Sequence, residues 1–315
     1  MSTAPTSAGL KDYAMLHFIV LIWGFTAILG LLISLPALEI VFYRTLLAVV
    51  AIGGFFLWRS QSLRLSRASL IRIIGTGMLI GLHWVLFFGA ARASTASVCL
   101  AGMATTSLWT AFIEPFAYKS KVKWYEVLLG LMVISGLYVI FRFEGGYWLG
   151  LSMAIASAFL GAVFSVINSK LTKKHEPYTL TFYEMLGACL FTLLCMPIYS
   201  MYFAEEGLQL LPKGLDWLWL FLLGGVCTVY AFAVSVELMR RITAFAVNLT
   251  INLEPVYGIV LAVLIFGEKE QMTPGFYLGT LIILISVLLY PLVQFLYRKR
   301  QARRAATAAK LYPRA

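Results

Sequence analysis

Glu254 is followed at once by Pro255 inside NLTINLEPVYGIVLAVLIFGEKE, residues 248 to 270, a stretch otherwise apolar enough for lipid. Counted from the start of its apolar run, the carboxylate is about eleven residues in, or ~16 Å at 1.5 Å per residue, near the middle of a hydrocarbon layer. An ionised carboxylate there costs several kcal/mol unless it is neutralised, paired or held in a wet cavity. Pro255 lacks the backbone N–H and would crowd the carbonyl of Ile251, which predicts a helix kink with a freed carbonyl. Thr243, Val247, Thr250 and Glu254 share one stripe at helical spacing, and Asn248 and Asn252 form a neighbouring polar edge. That pattern points to a polar face lining an internal cavity; hydrogen-bonded glue between helices is the blander alternative.

A second set of reactive side chains lies in FYRTLLA, Phe42 to Ala48, and FYEMLGA, Phe182 to Ala188. Arg44 and Glu184 hold the same place in the two segments. Arg44 is expected to meet an anionic substrate group or a helix-end carbonyl and Glu184 a cationic group, with structural counter-ion roles as the alternative. Tyr43 and Tyr183 match in the same way and are candidate cavity residues. His83 and Trp84 stand mid-way along another apolar run, where an imidazole can relay a proton and an indole can stack on a ligand. A lone buried histidine is more often a packing residue. Glu114, in IEPFAY, lies a few residues before Lys119 and reads as an edge charge that reaches the interface.

The elements that carry these residues follow from composition. The chain of 315 residues is 61% hydrophobic and 12% charged, with a mean hydropathy of +0.87. Soluble domains hold roughly a quarter charged residues, so the solvent is a membrane. Ten apolar runs approach the roughly 20 residues a spanning helix needs. They fall near 14–33, 37–58, 70–91, 95–118, 124–143, 147–168, 179–202, 217–239, 243–266 and 273–296. The expected fold is therefore all-α and integral to the membrane, with ten transmembrane helices.

Net charge of +11 would suit nucleic acid only if it were clustered on a soluble surface. Instead most Lys and Arg fall in loops on one side, such as Arg59, Arg64, Arg67, Lys170, Lys173, Lys174, Arg240 and Arg241, and in the two ends. Arg92, Arg142, Lys213 and Lys269 fall on the other. This positive-inside bias puts both termini in the cytoplasm and excludes a nucleic-acid patch. Anionic lipid is the partner of the basic tail, residues 297–315. The polar start leads into a full-length span rather than a short signal-peptide core, so no cleavage is expected. Cys99, Cys189, Cys195 and Cys227 all lie in spans without CxxC spacing, and no HExxH, GxSxG or Walker pattern occurs. No metal, cofactor or catalytic residue is expected. The chain is not expected to be an enzyme, although an intramembrane acid or base built on Glu254 and His83 is the competing class.

The chain also matches itself. Beside the FYRTLLA and FYEMLGA pair, Arg92, Thr95 and Ala96 correspond to Arg240, Thr243 and Ala244. Two five-helix repeats result, residues 14–143 and 147–296, and because five is odd the second enters the membrane inverted. Halves related in that way can exchange inward-open and outward-open states, as an alternating-access carrier requires. The pairs Gly77/Gly81, Gly146/Gly150 and Gly275/Gly279 have small-xxx-small spacing and predict close helix contacts.

These segments resemble the EamA-type carriers of the drug/metabolite transporter superfamily. The similarity lies in LIWGFTAILG, FYRTLLA, ARASTASV and EPVYGIVLAVLIFGEKE, and extends from about Tyr13 to Tyr297. It implies ten helices, with spans one to four and six to nine around a central cavity and the fifth and tenth at the periphery. Family repeats tend to place a proline thirteen residues before a glutamate that caps the next loop; Pro255 and Glu268 fit, while Ser107 and Ser120 stand in the first repeat. The resemblance implies export or exchange of amino acids and related metabolites, with import by some members. A bacterial-type inner membrane is the expected location, and proton coupling and homo-oligomerisation are compatible with the sequence.

Overall fold

Backbone N–H and C=O groups in lipid have no water to bond, so long apolar stretches satisfy themselves as helices. The computed structural model describes residues 9–60, 62–119, 124–143, 145–204, 207–251 and 253–311. Every element among them is helical. In chain order these are α1 (Leu10–Gly24), α2 (Thr26–Leu32), α3 (Ala37–Trp58), α4 (Arg67–Ala93), α5 (Ala96–Met103), α6 (Thr106–Tyr118), α7 (Trp124–Phe143), α8 (Trp148–Leu171) and α9 (Pro177–Tyr202). Then follow α10 (Asp216–Phe221), a π-helical segment (Leu222–Tyr230), α11 (Ala231–Leu238), α12 (Ala244–Ile251), α13 (Glu254–Phe266) and α14 (Pro274–Leu311).

Among the described residues, eight stretches are long and apolar enough to cross a membrane: Leu10–Leu32, Ala37–Trp58, Arg67–Ala93, Ala96–Tyr118, Trp124–Phe143, Gly145–Leu171, Pro177–Tyr202 and Asp216–Leu238. The ninth run of the sequence divides into α12 and α13. In α14 an apolar stretch over Pro274–Ser286 is shorter than those eight among the described residues. Starts are set by local chemistry: Ser66 accepts from Ser69 N at α4, Thr95 from Val98 N at α5, and Glu176 from Thr179 N at α9. Pro177 opens α9, in the first turn, where a missing N–H removes no bond.

The expected kink at Pro255 is instead a break. One helix ends at Ile251 and the next begins at Glu254, with Pro255 in its first turn. Asn252, expected on the polar edge, lies outside the described residues. The first repeat breaks in the same register without a proline: α5 and α6 have 8 and 13 residues, as do α12 and α13. Thr105 and Thr106 donate to the carbonyls of Gly102 and Met103 at 2.8 and 2.7 Å, offering the backbone an alternative to a continuous ladder. The alignment of Thr95 with Thr243 thus also aligns Thr106 with Glu254. Ser107, not Pro115, is the partner of Pro255.

Glycines set the helix crossings. A methyl added at Gly77 of α4 would lie 2.2 Å from the Glu184 carbonyl oxygen of α9, and one at Gly187 would lie 2.3 Å from the Ile74 carbonyl oxygen. In the other half, Gly224 of the π segment faces the Arg44 carbonyl oxygen at 3.4 Å and Leu47 Cβ at 3.0 Å. Arg44 and Glu184 therefore stand at equivalent crossings in the two repeats. A third crossing joins α7 to α14, where methyls at Gly136 and Gly279 would each meet the other's carbonyl oxygen, at 2.8 and 2.6 Å.

Candidate functional site

Helices α1, α3, α4, α5, α6, α8, α11, α12 and α13, with the start of α2, surround a cavity with about 740 Å³ of empty space, its mouth included. Arg44, His83, Trp84, Asn248 and Glu254 line it, together with Trp23, Thr26, Phe87, Phe164 and Phe232. The wall mixes five Trp and Phe rings and several aliphatic side chains with nine polar or charged residues, apolar surface with polar groups to orient a ligand, as small-molecule sites have.

Arg44 is placed by α3 and oriented by Trp84 of its own repeat and Thr228 of the other. Its guanidinium carbon lies 3.8 Å from the centroid of the Trp84 ring, a cation–π stack worth up to about 2 kcal/mol when desolvated. Its Nε donates to Thr228 Oγ1 at 2.6 Å, and that hydroxyl donates to the Leu223 carbonyl at 2.8 Å. The reach from Thr228 back to Leu223 spans five residues, matching the π-helical winding, a rare geometry frequent at functional sites. Trp23 Nε1 donates to the Cys227 carbonyl of the same segment at 3.0 Å. The terminal amines of Arg44 have no hydrogen-bond partner among the described residues, so four of its five donors remain for a ligand.

Glu254 opens α13 at the break, where unpaired backbone N–H groups favour negative charge. It is 7% exposed. Thr26 lies beside its carboxylate and Arg44 is within electrostatic reach, yet no ion pair among the described residues joins Arg44 to Glu254. The cavity therefore holds a guanidinium and a carboxyl group at separate places.

His83 Nδ1 lies 2.8 Å from the Ser157 carbonyl, which only accepts, so Nδ1 carries the hydrogen. Ser157 Oγ donates to the His83 carbonyl at 2.8 Å and locks the pair from both sides. Nε2 is left without a hydrogen-bond partner among the described residues. Asn248 ties three helices: its Nδ2 donates to Thr110 Oγ1 at 2.9 Å and its Oδ1 accepts from Ser165 Oγ at 3.2 Å.

Other candidates stand away from the cavity wall. Tyr43 donates to the Leu210 carbonyl, and Tyr183 to the Leu63 carbonyl at 2.8 Å, so the matched tyrosines hold loops. Thr250 donates to the Ala246 carbonyl at 3.0 Å on its own helix. Glu184 is fully buried, set behind Asn168, which is itself a lining residue. The glutamate that caps a helix is Glu270 rather than Glu268: its carboxylate accepts from Ala96 N, Ser97 N and Ser97 Oγ at 2.9, 3.0 and 2.8 Å. Helix α13 ends at Gly267 with φ of 59°, so the exposed Glu268 starts a short turn and the side chain two residues on returns to the bundle.

Thr228, Ser157, Ser165 and Asn168 went unnoticed in the sequence. Small hydroxyl residues are ordinary in membrane helices, and which helix they face depends on packing.

The family model of the EamA-like transporter family matches residues 12–142 and again 148–291. The chain belongs to that family. It is thus a multi-pass membrane transporter of the two-repeat EamA fold. No curated protein matches the chain. A solved structure described as "Crystal structure of protein" is similar over 90% of this chain and 98% of its own, at 17% identity and a TM-score of 0.66; that likeness concerns the fold.

Proposed function

We propose that this EamA-like transporter is a secondary carrier of amino acids or related metabolites, exporting or exchanging them by alternating access. In this reading, ten spans form inverted repeats over 14–143 and 147–296, α12 with α13 supplies the ninth span and α14 the tenth. Both termini and the basic tail are cytoplasmic, in a bacterial-type inner membrane.

One observation carries the reading: Arg44 and Glu254 line a single cavity, and no ion pair among the described residues joins them. A zwitterion presents a carboxylate and an ammonium a few ångströms apart. The free Arg44 amines suit the carboxylate as a bidentate fork, and Glu254 suits the ammonium. Trp84, His83 and Asn248 complete the proposed contacts. Binding near mid-membrane at the interface of two repeats is where such carriers hold substrate. The family's import mode differs only in the direction of the gradient, so direction belongs to the measurement.

Counterflow in proteoliposomes tests the proposal. With unlabelled amino acids inside and labelled ones outside, saturable, trans-stimulated accumulation is expected for the wild type and its loss for Glu254→Gln. No accumulation for any amino acid by folded protein would sink the substrate class.

A further inference from the structure

We propose that Glu184, with the Asn168 amide beside it, is the proton-binding site of the transport cycle, distinct from the substrate cavity and reached from it through Asn168. This rests on the carrier reading above.

The geometry is unusual for a structural carboxylate. Glu184 is fully buried in α9, and neither of its oxygens has a hydrogen-bond partner among the described residues. Asn168 of α8 lies against it, and both polar atoms of that amide are also unpartnered. Thr181, one turn earlier on α9, is buried with its hydroxyl unpartnered. Orphaned buried polar groups are destabilising, so a carboxyl, an amide and a hydroxyl left in this state mark a place that a bound species can satisfy.

No fixed charge explains the carboxyl. Arg44 of α3 is turned to Thr228 and Trp84, and His83 of α4 to Ser157. Lys170 of α8 donates to the Ala117 carbonyl, Glu237 of α11 stands 3.8 Å from Arg241, and Arg72 at the start of α4 is exposed. On its own helix, Tyr183 is engaged with Leu63. None of them bears on the Glu184 carboxyl, whose one polar neighbour of note is Asn168. An ionised carboxylate in such a place would be uncompensated. This arrangement favours the carboxylic acid, and ionisation calls on the Asn168 amide.

The bound species is a proton rather than a metal cation. Calcium-like ions take six to eight oxygens, and the helix here keeps its own backbone carbonyls occupied. The chemistry balances with no other reagent: a carboxylate takes one proton, and the Asn168 amide accepts from the resulting O–H through Oδ1. When the acid ionises, the same amide offers Nδ2–H to the carboxylate. Because Asn168 also lines the cavity, substrate binding and the protonation of Glu184 share one side chain, which is what coupling between two sites requires.

Glu184→Gln keeps the shape and removes the titration. In proteoliposomes, the variant is expected to retain saturable counterflow whose rate no longer varies with pH, and to lose the label accumulation that an imposed pH gradient drives; Glu184→Asp should recover part of it. The infrared carboxylic-acid C=O band that responds to a pH change should disappear in Glu184→Gln. Gradient-driven accumulation equal to wild type in Glu184→Gln, loss of counterflow along with it in folded protein, or drive by sodium instead of protons would each overturn the proposal. If the wild type shows no counterflow, the amino-acid reading falls, and the infrared band still decides whether Glu184 exchanges a proton.

Discussion

Replacing Arg44 with lysine keeps the charge and removes both the flat face 3.8 Å from the Trp84 centroid and the Nε bond to Thr228. A lysine ammonium is a point charge that cannot fork onto a carboxylate. Arg44→Lys is therefore expected to raise the substrate KM for counterflow by about tenfold or more, corresponding to some 1.4 kcal/mol. Thr228→Val removes only the group that aims the guanidinium, so a smaller rise is expected. Equal KM values for wild type and Arg44→Lys, from initial rates over a range of substrate concentrations, would detach Arg44 from substrate. Arg44, His83, Trp84, Asn248 and Glu254 were legible in sequence because polar, ionisable or indole groups stand out within apolar runs. Tyr43 and Tyr183 were equally visible as a matched pair, yet they hold loops, because repeat symmetry fixes where a residue sits on its helix and not what lies opposite. Asn168 escaped notice, since an asparagine near the end of an apolar run looks like interface.

At the scale of helices, the crossing of α4 on α9 depends on an absence of side chain. A methyl at Gly77 would meet backbone, the Glu184 carbonyl oxygen at 2.2 Å, and backbone yields only by moving the helix apart. Two residues earlier on the same helix, Gly75 has nothing within 4 Å. Gly77→Ala is expected to lower the melting temperature in detergent by several degrees, in keeping with an overpacking cost of about 1–3 kcal/mol. Gly75→Ala should leave the melting temperature unchanged or raise it, because alanine is the better helix former. Comparable melting curves for the two variants would show that the crossing adapts. The Gly77/Gly81 spacing was readable, whereas the partner helix was not. The helix breaks were half readable: Pro255 announces the second, but the first rests on threonine hydroxyls bonded back to Gly102 and Met103. The π-helical turn that delivers Thr228 has no signal in a period-3.6 pattern.

Across the whole molecule, two sets of contacts mark opposite faces. At one, Lys170 bonds the Ala117 carbonyl, Arg240 the Thr172 carbonyl, and Arg241 pairs with Asp12 at 3.1 Å. At the other, Arg92 bonds the carbonyls of Gly30, Ile33 and Leu35, while Asp216 binds Ser34 and Lys213 N. The first face gathers most of the loop cations, so in the proposed reading it is the one that faces the cytoplasm. Charge counting yields an expected orientation from the order of loops along the chain alone. It cannot say that α7 and α14 pair through Gly136 and Gly279, since that contact joins the ends of the two repeats. The orientation itself is open to a direct check. In a cysteine-free background, Lys213→Cys should react with a membrane-impermeant thiol reagent on intact cells, and Lys174→Cys should react only after permeabilisation. Reporters fused to the two termini should both read cytoplasmic, because an even number of spans returns the chain to its starting side. A terminus on the outer side would remove one span from the count and, with it, the inverted relation between the halves on which alternating access depends.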